Sequence, residues 1–188
     1  MDLPKLNDTA TRHLDFCLSI STKLIHILTS ILTTNGPQRN DNLVLSVGSG
    51  SGLLEAHLLK HLTSLPECTS TFTIQGLEVR SPPTAAPVNK YLPEQHSATV
   101  RGTWERSPLI DVADTLLFVY PREPDLVTRY LAARSASLRI VLWLGPCADW
   151  EVFGGCFQGL EGFGDVEIIE GGSAGVAEFE MIAVVRSR

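Results

Sequence analysis

The sequence contains no run of lysine and arginine. Its 15 basic residues are outnumbered by 21 acidic ones, for a formal net charge of −6 at pH 7. Phosphate binding needs a clustered basic surface, so the charge argues against a nucleic-acid partner and fits a neutral or cationic small-molecule substrate. Cysteine is scarce. Cys17, Cys68, Cys147 and Cys156 form no C-x-x-C pair, and their spacing fits no zinc site. They read as reduced thiols of a cytoplasmic protein. No apolar run approaches the ~20 residues that a membrane span needs, so no membrane partner is expected. The richest stretch, residues 14–32, is interrupted by Ser, Thr, Lys23 and His26. Signal peptide, internal repeat and long linker are all missing from the pattern. What is present is 44% hydrophobic and 19% charged over 188 residues. That is the composition of one packed domain, burying about two thirds of the surface its unfolded chain exposes.

Hydrophobic spacing divides the chain into alternating elements. Leu14, Cys17, Leu18, Leu24, Ile25, Leu28, Ile31 and Leu32 recur every three or four residues. The spacing predicts an amphipathic helix capped by Asn7 or Asp8, broken near Ser21 and stopped by Gly36-Pro37. Residues 38–42 read as a polar loop. Residues 43–47 are a short apolar strand buried on both faces. A helix over 53–63 and a strand over 72–79 follow. Residues 81–93 carry four prolines and read as loop, with at most a short helix around 88–92. Further strands are predicted over 98–100, 115–120 and 138–144, with helices over 124–136 and 150–157. Residues 165–170 and 178–185 form a closing hairpin across the glycine-rich stretch 171–175. Alternation of this kind implies right-handed crossovers and a parallel sheet covered by helices on both faces. The late hairpin adds an antiparallel strand.

The densest signal is the run from Val44 through Val47 into Gly48-Ser49-Gly50-Ser51-Gly52. A buried strand must turn tightly into a helix here, and glycine permits positive φ and lets a ligand lie against bare backbone. The helix N-terminus offers unpaired N–H groups. The next strand ends in Glu78, 26 residues after Gly52, an acid able to accept two ribose hydroxyls. Gly102-Thr103-Trp104 follows the third strand, where a base would lie. A dinucleotide fold shares the first two features but wants glycine at position 53, which is Leu.

With G-x-G-x-G after a buried strand and an acid ending the next one, the chain resembles the class I S-adenosylmethionine-dependent methyltransferases over about residues 40–186. The resemblance implies an α/β Rossmann-like three-layer sandwich. Its sheet is seven-stranded and mostly parallel, with a C-terminal antiparallel hairpin. Residues 1–37 become an appended helical lid on a single domain. It implies S-adenosyl-L-methionine as cofactor, with Val47, Gly48, Ser49 and Gly50 beside its methionine and ribose. Gly52 would start the helix and Glu78 hold the ribose hydroxyls. Thr103 and Trp104 would lie by the adenine, and Tyr120 and Pro121 would border the methyl group.

Three departures stand beside this. Ser46 occupies the position, two before the first glycine, where the family usually has Asp or Glu. Thr103 replaces an acid often found after the third-strand glycine. The Asn/Asp-Pro-Pro-aromatic tetrad of many amino-methylating members is missing, and Val119-Tyr120-Pro121-Arg122-Glu123 stands there instead. No catalytic base is fixed by the pattern; Tyr120, His13 and His26 are candidates. His57 and His61, four apart, read as solvent-facing residues and not as metal ligands. The leading expectation is methyl transfer to a small molecule. The alternative is a methyltransferase-like protein that no longer methylates and serves as a partner subunit, or uses the pocket for another reaction. A nicotinamide-dependent oxidoreductase is disfavoured by Leu53. A homo-oligomer is compatible with either expectation.

Overall fold

The computed structural model describes residues 3–34, 41–65, 71–81 and 88–188. The helix stop at Gly36-Pro37, most of the 38–42 loop, Cys68 and the first prolines of the 81–93 loop lie outside the described residues.

The apolar run before the glycines forms strand β3 (Asp41–Val47), and the helix after them is α2 (Leu53–Thr63). Around them the chain builds β4 (Thr71–Val79), β5 (Ser97–Val100), β6 (Thr115–Val119), α3 (Pro124–Ala132), β7 (Ile140–Pro146), α4 (Trp150–Phe153), β8 (Glu167–Glu170), α5 (Gly171–Ala174) and β9 (Glu180–Arg186). The seven strands pair in the order β5-β4-β3-β6-β7-β9-β8. β3 to β7 run parallel, and β9 is antiparallel to both β7 and β8. The expected mostly parallel sheet with a late antiparallel hairpin is the observed one.

Strand alternation splits the core into two layers. Val44, Ile74, Leu117, Leu142 and Ile182 face α2 and the N-terminal helix α1 (Thr22–Thr34). Leu45, Val47, Phe118, Trp143 and Ala183 face α3 and the aromatic cluster Trp150, Phe153 and Phe157. Ser46 shares the α1/α2 side with Val44.

Four expectations are corrected. Residues 14–32 are not one helix. Thr11–His13 (β1) and Phe16–Ile20 (β2) form an antiparallel hairpin, and only then does α1 begin. Asn7 and Asp8 do not cap a helix start near Leu14. The Asn7 carbonyl accepts the Thr22 N–H, and Asp8 accepts the Thr22 hydroxyl at 2.7 Å. The cap of α1 is Ser21, whose Oγ accepts the Leu24 N–H at 3.1 Å and donates to the Gly175 carbonyl at 2.6 Å. The helix predicted to reach 136 ends at Ala132, where Ser135 Oγ takes the Ser137 N–H and competes with the helical pattern. His57 and His61 are half-buried because α1 packs alongside α2, and His61 stacks on His26 with ring centroids 4.9 Å apart.

Two predictions arise here. Gly175 has φ +73°, and a Cβ on it would lie 2.5 Å from the Leu24 backbone nitrogen. Gly175→Ala therefore strains the backbone and pushes α5 off the start of α1. The expected cost is about 2–4 kcal/mol in urea unfolding.

Burial lowers the pKa of His57, and for His61 burial and then the His26 ring do the same. The native state thus resists protons that the unfolded chain takes up near pH 6.5. Stability supplied by the neutral rings is present above that pH and lost as pH falls towards the lowered native values. Relative to wild type, His57→Gln is expected to lose less melting temperature between about pH 7.5 and 5.5; parallel curves would contradict this.

Candidate cofactor site

The chain runs outward from β3 through β4 to β5, then returns to β6 on the other side of β3. The carboxyl ends of β3 and β6 thus flank a topological switch point, where open parallel sheets bind ligands. A cavity of about 430 Å³ lies there.

Its floor is the glycine turn. Gly48, Gly50 and Gly52 have φ of 78°, 58° and 74°. A Cβ added at Gly48 or Gly50 would meet nothing within 4 Å, so bare backbone faces open space. The turn is fixed from several sides. The Leu77 carbonyl on β4 accepts the Gly48 N–H at 2.9 Å, and the Ser51 carbonyl accepts the Tyr91 N–H at 2.9 Å. Ser49 Oγ donates to Asn89 Oδ1 at 2.7 Å, and Asn89 Nδ2 donates to the Gly76 carbonyl at 3.3 Å. Glu78 Oε1 accepts the Gly50 N–H at 2.6 Å. That bond aims the carboxylate across the turn and leaves acceptor capacity on its oxygens for a ligand.

Of the residues singled out in the sequence, Val47, Gly48, Ser49, Gly50, Glu78, Thr103, Tyr120 and Pro121 line the cavity, as do Arg122 and Glu123. Gly52 does not. It caps α2 from behind, where a Cβ would strike Leu92 at 2.9 Å. Trp104 does not line the cavity either; its ring lies over Gly102 and is 68% exposed. The Thr103 carbonyl accepts an Arg129 N–H. His13 is outside the lining, with its ring edge-on to Tyr91 at 6.1 Å, and His26 is on the far side of the core against His61.

Tyr120 has φ 49°, the one positive value outside glycine among the described residues. Backbone strain of this kind gathers at functional sites. The phenol donates to Glu180 Oε1 at 2.6 Å. Burial first, and then the bond and charge of Glu180, push its pKa well above the usual phenol value. Tyr120 therefore stays protonated and acts as a donor.

Sequence reasoning missed the third wall. Asp15, Phe16 and Cys17 of the β1–β2 hairpin line the cavity. The hairpin is held on both banks of the switch point. Asp15 Oδ2 accepts from Lys90 Nζ at 2.7 Å and from the Tyr91 hydroxyl at 2.8 Å. These two bonds hold the Asp15 carboxyl below its ordinary range. On the other bank the Arg12 guanidinium lies 5.4 Å from the Phe179 ring centroid. The available signal was the period-two alternation of Phe16, Leu18 and Ile20, which competes with the helical spacing.

No protein-family model matches the chain, and no curated protein sequence matches it significantly. Solved structures do resemble it. The methyltransferase domain of bacterial CtHen1-C superposes with a TM-score of 0.57 at 12% identity, over 88% of this chain and 97% of that one. A putative class I S-adenosylmethionine-dependent methyltransferase from Listeria monocytogenes gives 0.62 at 12% identity, over 94% of this chain and 62% of that one. The precorrin-6y C5,15-methyltransferase from Geobacter metallireducens gives 0.58 at 8% identity, over 95% and 93%. The fold is that of the class I S-adenosylmethionine-dependent methyltransferases.

Proposed function

We propose that this chain, with its class I methyltransferase fold, binds S-adenosylmethionine in the cavity and transfers the methyl group to a small molecule. The observation that carries the reading is the pairing of an open glycine floor with Glu78 at its rim. Gly48 and Gly50 offer backbone without side chains, and Glu78 offers carboxylate lone pairs. Both suit the methionine and ribose parts of that cofactor, and Thr103 lies where the adenine would reach.

The cofactor supplies a methyl group on a sulfonium, ready for in-line displacement. The chain's part is to hold and orient. The glycine turn and Glu78 fix one partner. Tyr120 and Pro121 border the transfer zone, and Asp15, Phe16 and Cys17 close it from the hairpin side. A small acceptor fits this walled geometry; Asp15 and Glu105 are paired with Lys90 and Arg101, and Arg122 stands in the lining beside Glu123, which suits a neutral acceptor. Among the described residues Cys17, Cys147 and Cys156 are free thiols, which suits a cytoplasmic setting. No helix among them is long and apolar enough to cross a membrane.

One observation favours the second reading, a cofactor-binding partner protein without transfer activity. The Tyr120 phenol is committed to Glu180, and no histidine among the described residues lines the cavity. The experiment supplies methyl-labelled cofactor with a metabolite extract, an RNA pool or a protein extract. Label in a small molecule supports the first reading. Label in RNA or protein overturns the small-molecule acceptor, and cofactor binding without label transfer supports the partner protein.

A further inference from the structure

Glu55 is a carboxyl group with no exposure to solvent, in the first turn of α2, three residues beyond the last glycine of the turn. Ser46 Oγ donates to its Oε1 at 2.5 Å. Its other oxygen, Oε2, is buried and has no hydrogen-bond partner among the described residues. An ionised carboxylate with an orphaned oxygen is costly to bury, whereas the protonated acid is tolerated. Ser46 is the neutral residue that stands where the resemblance leads one to expect an acid. The acid in this part of the molecule comes instead from the helix and meets Ser46 from above.

The surroundings give that carboxyl something to respond to. Burial is the largest influence and pushes it up to about 7, against the pull of the Ser46 hydroxyl and its own backbone N–H. The Glu78 carboxylate raises it further. Glu78 is the charged group on the neighbouring β4. Ser46 on β3 and the backbone of residues 48–52 carry no charge. On α2 itself the other titratable groups next along are His57 and Lys60, which act on one another. Glu55 thus shares the field of a carboxylate that lines the cavity.

We propose that Glu55 is a positioning residue for a cationic ligand. Its carboxyl, held by Ser46 beneath the glycine turn, releases its proton to solvent when a sulfonium-bearing cofactor fills the cavity. The inference rests on the S-adenosylmethionine reading above. A positive charge in the cavity offsets the field of Glu78 and favours the Glu55 carboxylate. By linkage, a ligand that favours the deprotonated form binds more tightly as pH rises through the titration. The demethylated product, S-adenosylhomocysteine, lacks the sulfonium charge and gains little. The site would therefore discriminate cofactor from product increasingly well from slightly acid to slightly alkaline pH.

The test is calorimetric titration of wild type, Glu55→Gln and Ser46→Ala with each ligand. It is run at pH values from 6 to 8, and at pH 7 in two buffers of different ionisation enthalpy. The cofactor's own α-amino group titrates near about pH 8, so the readout is the difference between wild type and variant. The expected result is a wild-type affinity for S-adenosylmethionine that tightens about three- to tenfold more across the range than that of Glu55→Gln. Relative to Glu55→Gln, wild type should show additional proton release at pH 7 with S-adenosylmethionine and not with S-adenosylhomocysteine. Ser46→Ala, which removes the bond favouring the carboxylate, should move the change to higher pH. It carries the test if Glu55→Gln does not fold. Equal pH dependence in wild type and Glu55→Gln, or no shift in Ser46→Ala, overturns the inference while leaving the cofactor site standing. No binding of either ligand overturns the cofactor reading itself.

Discussion

Replacing Glu180 by alanine is expected to lower the folding free energy by about 3–5 kcal/mol, a large share of the 5–15 kcal/mol typical of a domain. Glu180 lies at the start of β9 with no solvent exposure. Its carboxyl group accepts the Ser19 N–H at 3.2 and 3.1 Å, the Ala177 N–H at 3.1 Å and the Tyr120 hydroxyl at 2.6 Å. Truncation removes the acceptor and leaves buried donors without one, at about 1–3 kcal/mol each where water cannot reach. Tyr120→Phe removes one donor and leaves Glu180 with its backbone partners, so it should cost only about 1 kcal/mol. Guanidinium unfolding separates the two. A Glu180→Ala loss near that of Tyr120→Phe would show that the N-terminal hairpin is not secured through this carboxyl.

Glu78→Ala is expected to weaken cofactor affinity by at least about a hundredfold, through two losses that add. The first is the 2.6 Å bond to the Gly50 N–H, which holds the turn in the shape that leaves its floor open. The second is the carboxylate, which on the proposed reading would be offered to the ribose. Hydrogen bonds to charged groups contribute about 1.5–3 kcal/mol, and 1.4 kcal/mol is tenfold. Glu78→Gln keeps an acceptor oxygen and should fall between. Glu78 is half-buried and outside both apolar layers, so melting temperature should change far less than affinity. Affinity within about twofold of wild type would remove Glu78 from the site.

The elements most legible in the sequence were those where one local demand dominates. β3, the glycine turn and α2 follow from an apolar run, three positive-φ positions and a leucine face, and the structure starts and ends α2 at the expected residues. The N-terminal segment was misread because Leu14, Cys17 and Leu18 satisfy a helical period while Phe16, Leu18 and Ile20 satisfy a strand period. Burying Leu18 and Ile20 beside the core decided for the strand, and Ser21 marks the junction. Leu14, counted as apolar face, sits fully exposed between β1 and β2.

At the site, residues adjacent to strand ends were readable because parallel strands bring their carboxyl ends together. Partners from distant segments were not. Asn89 reaches Ser49 across 40 positions, and Tyr120 reaches Glu180 across 60. Asp15 finds Lys90 across 75. Nothing in local spacing encodes those meetings. A buried Glu55 is not legible in the sequence, since a glutamate in a first helical turn ordinarily faces solvent and serves the helix dipole; the packing of α2 onto Ser46 buries it.

The central claim is that the cavity over Gly48 and Gly50 is a cofactor site, and equilibrium titration of the wild-type chain with S-adenosylhomocysteine tests it most directly. The expected result is a single saturable site with a dissociation constant of about micromolar order, competed by S-adenosylmethionine. A folded protein that shows no binding up to about millimolar ligand would contradict it and leave a fold shared with methyltransferases but not their cofactor.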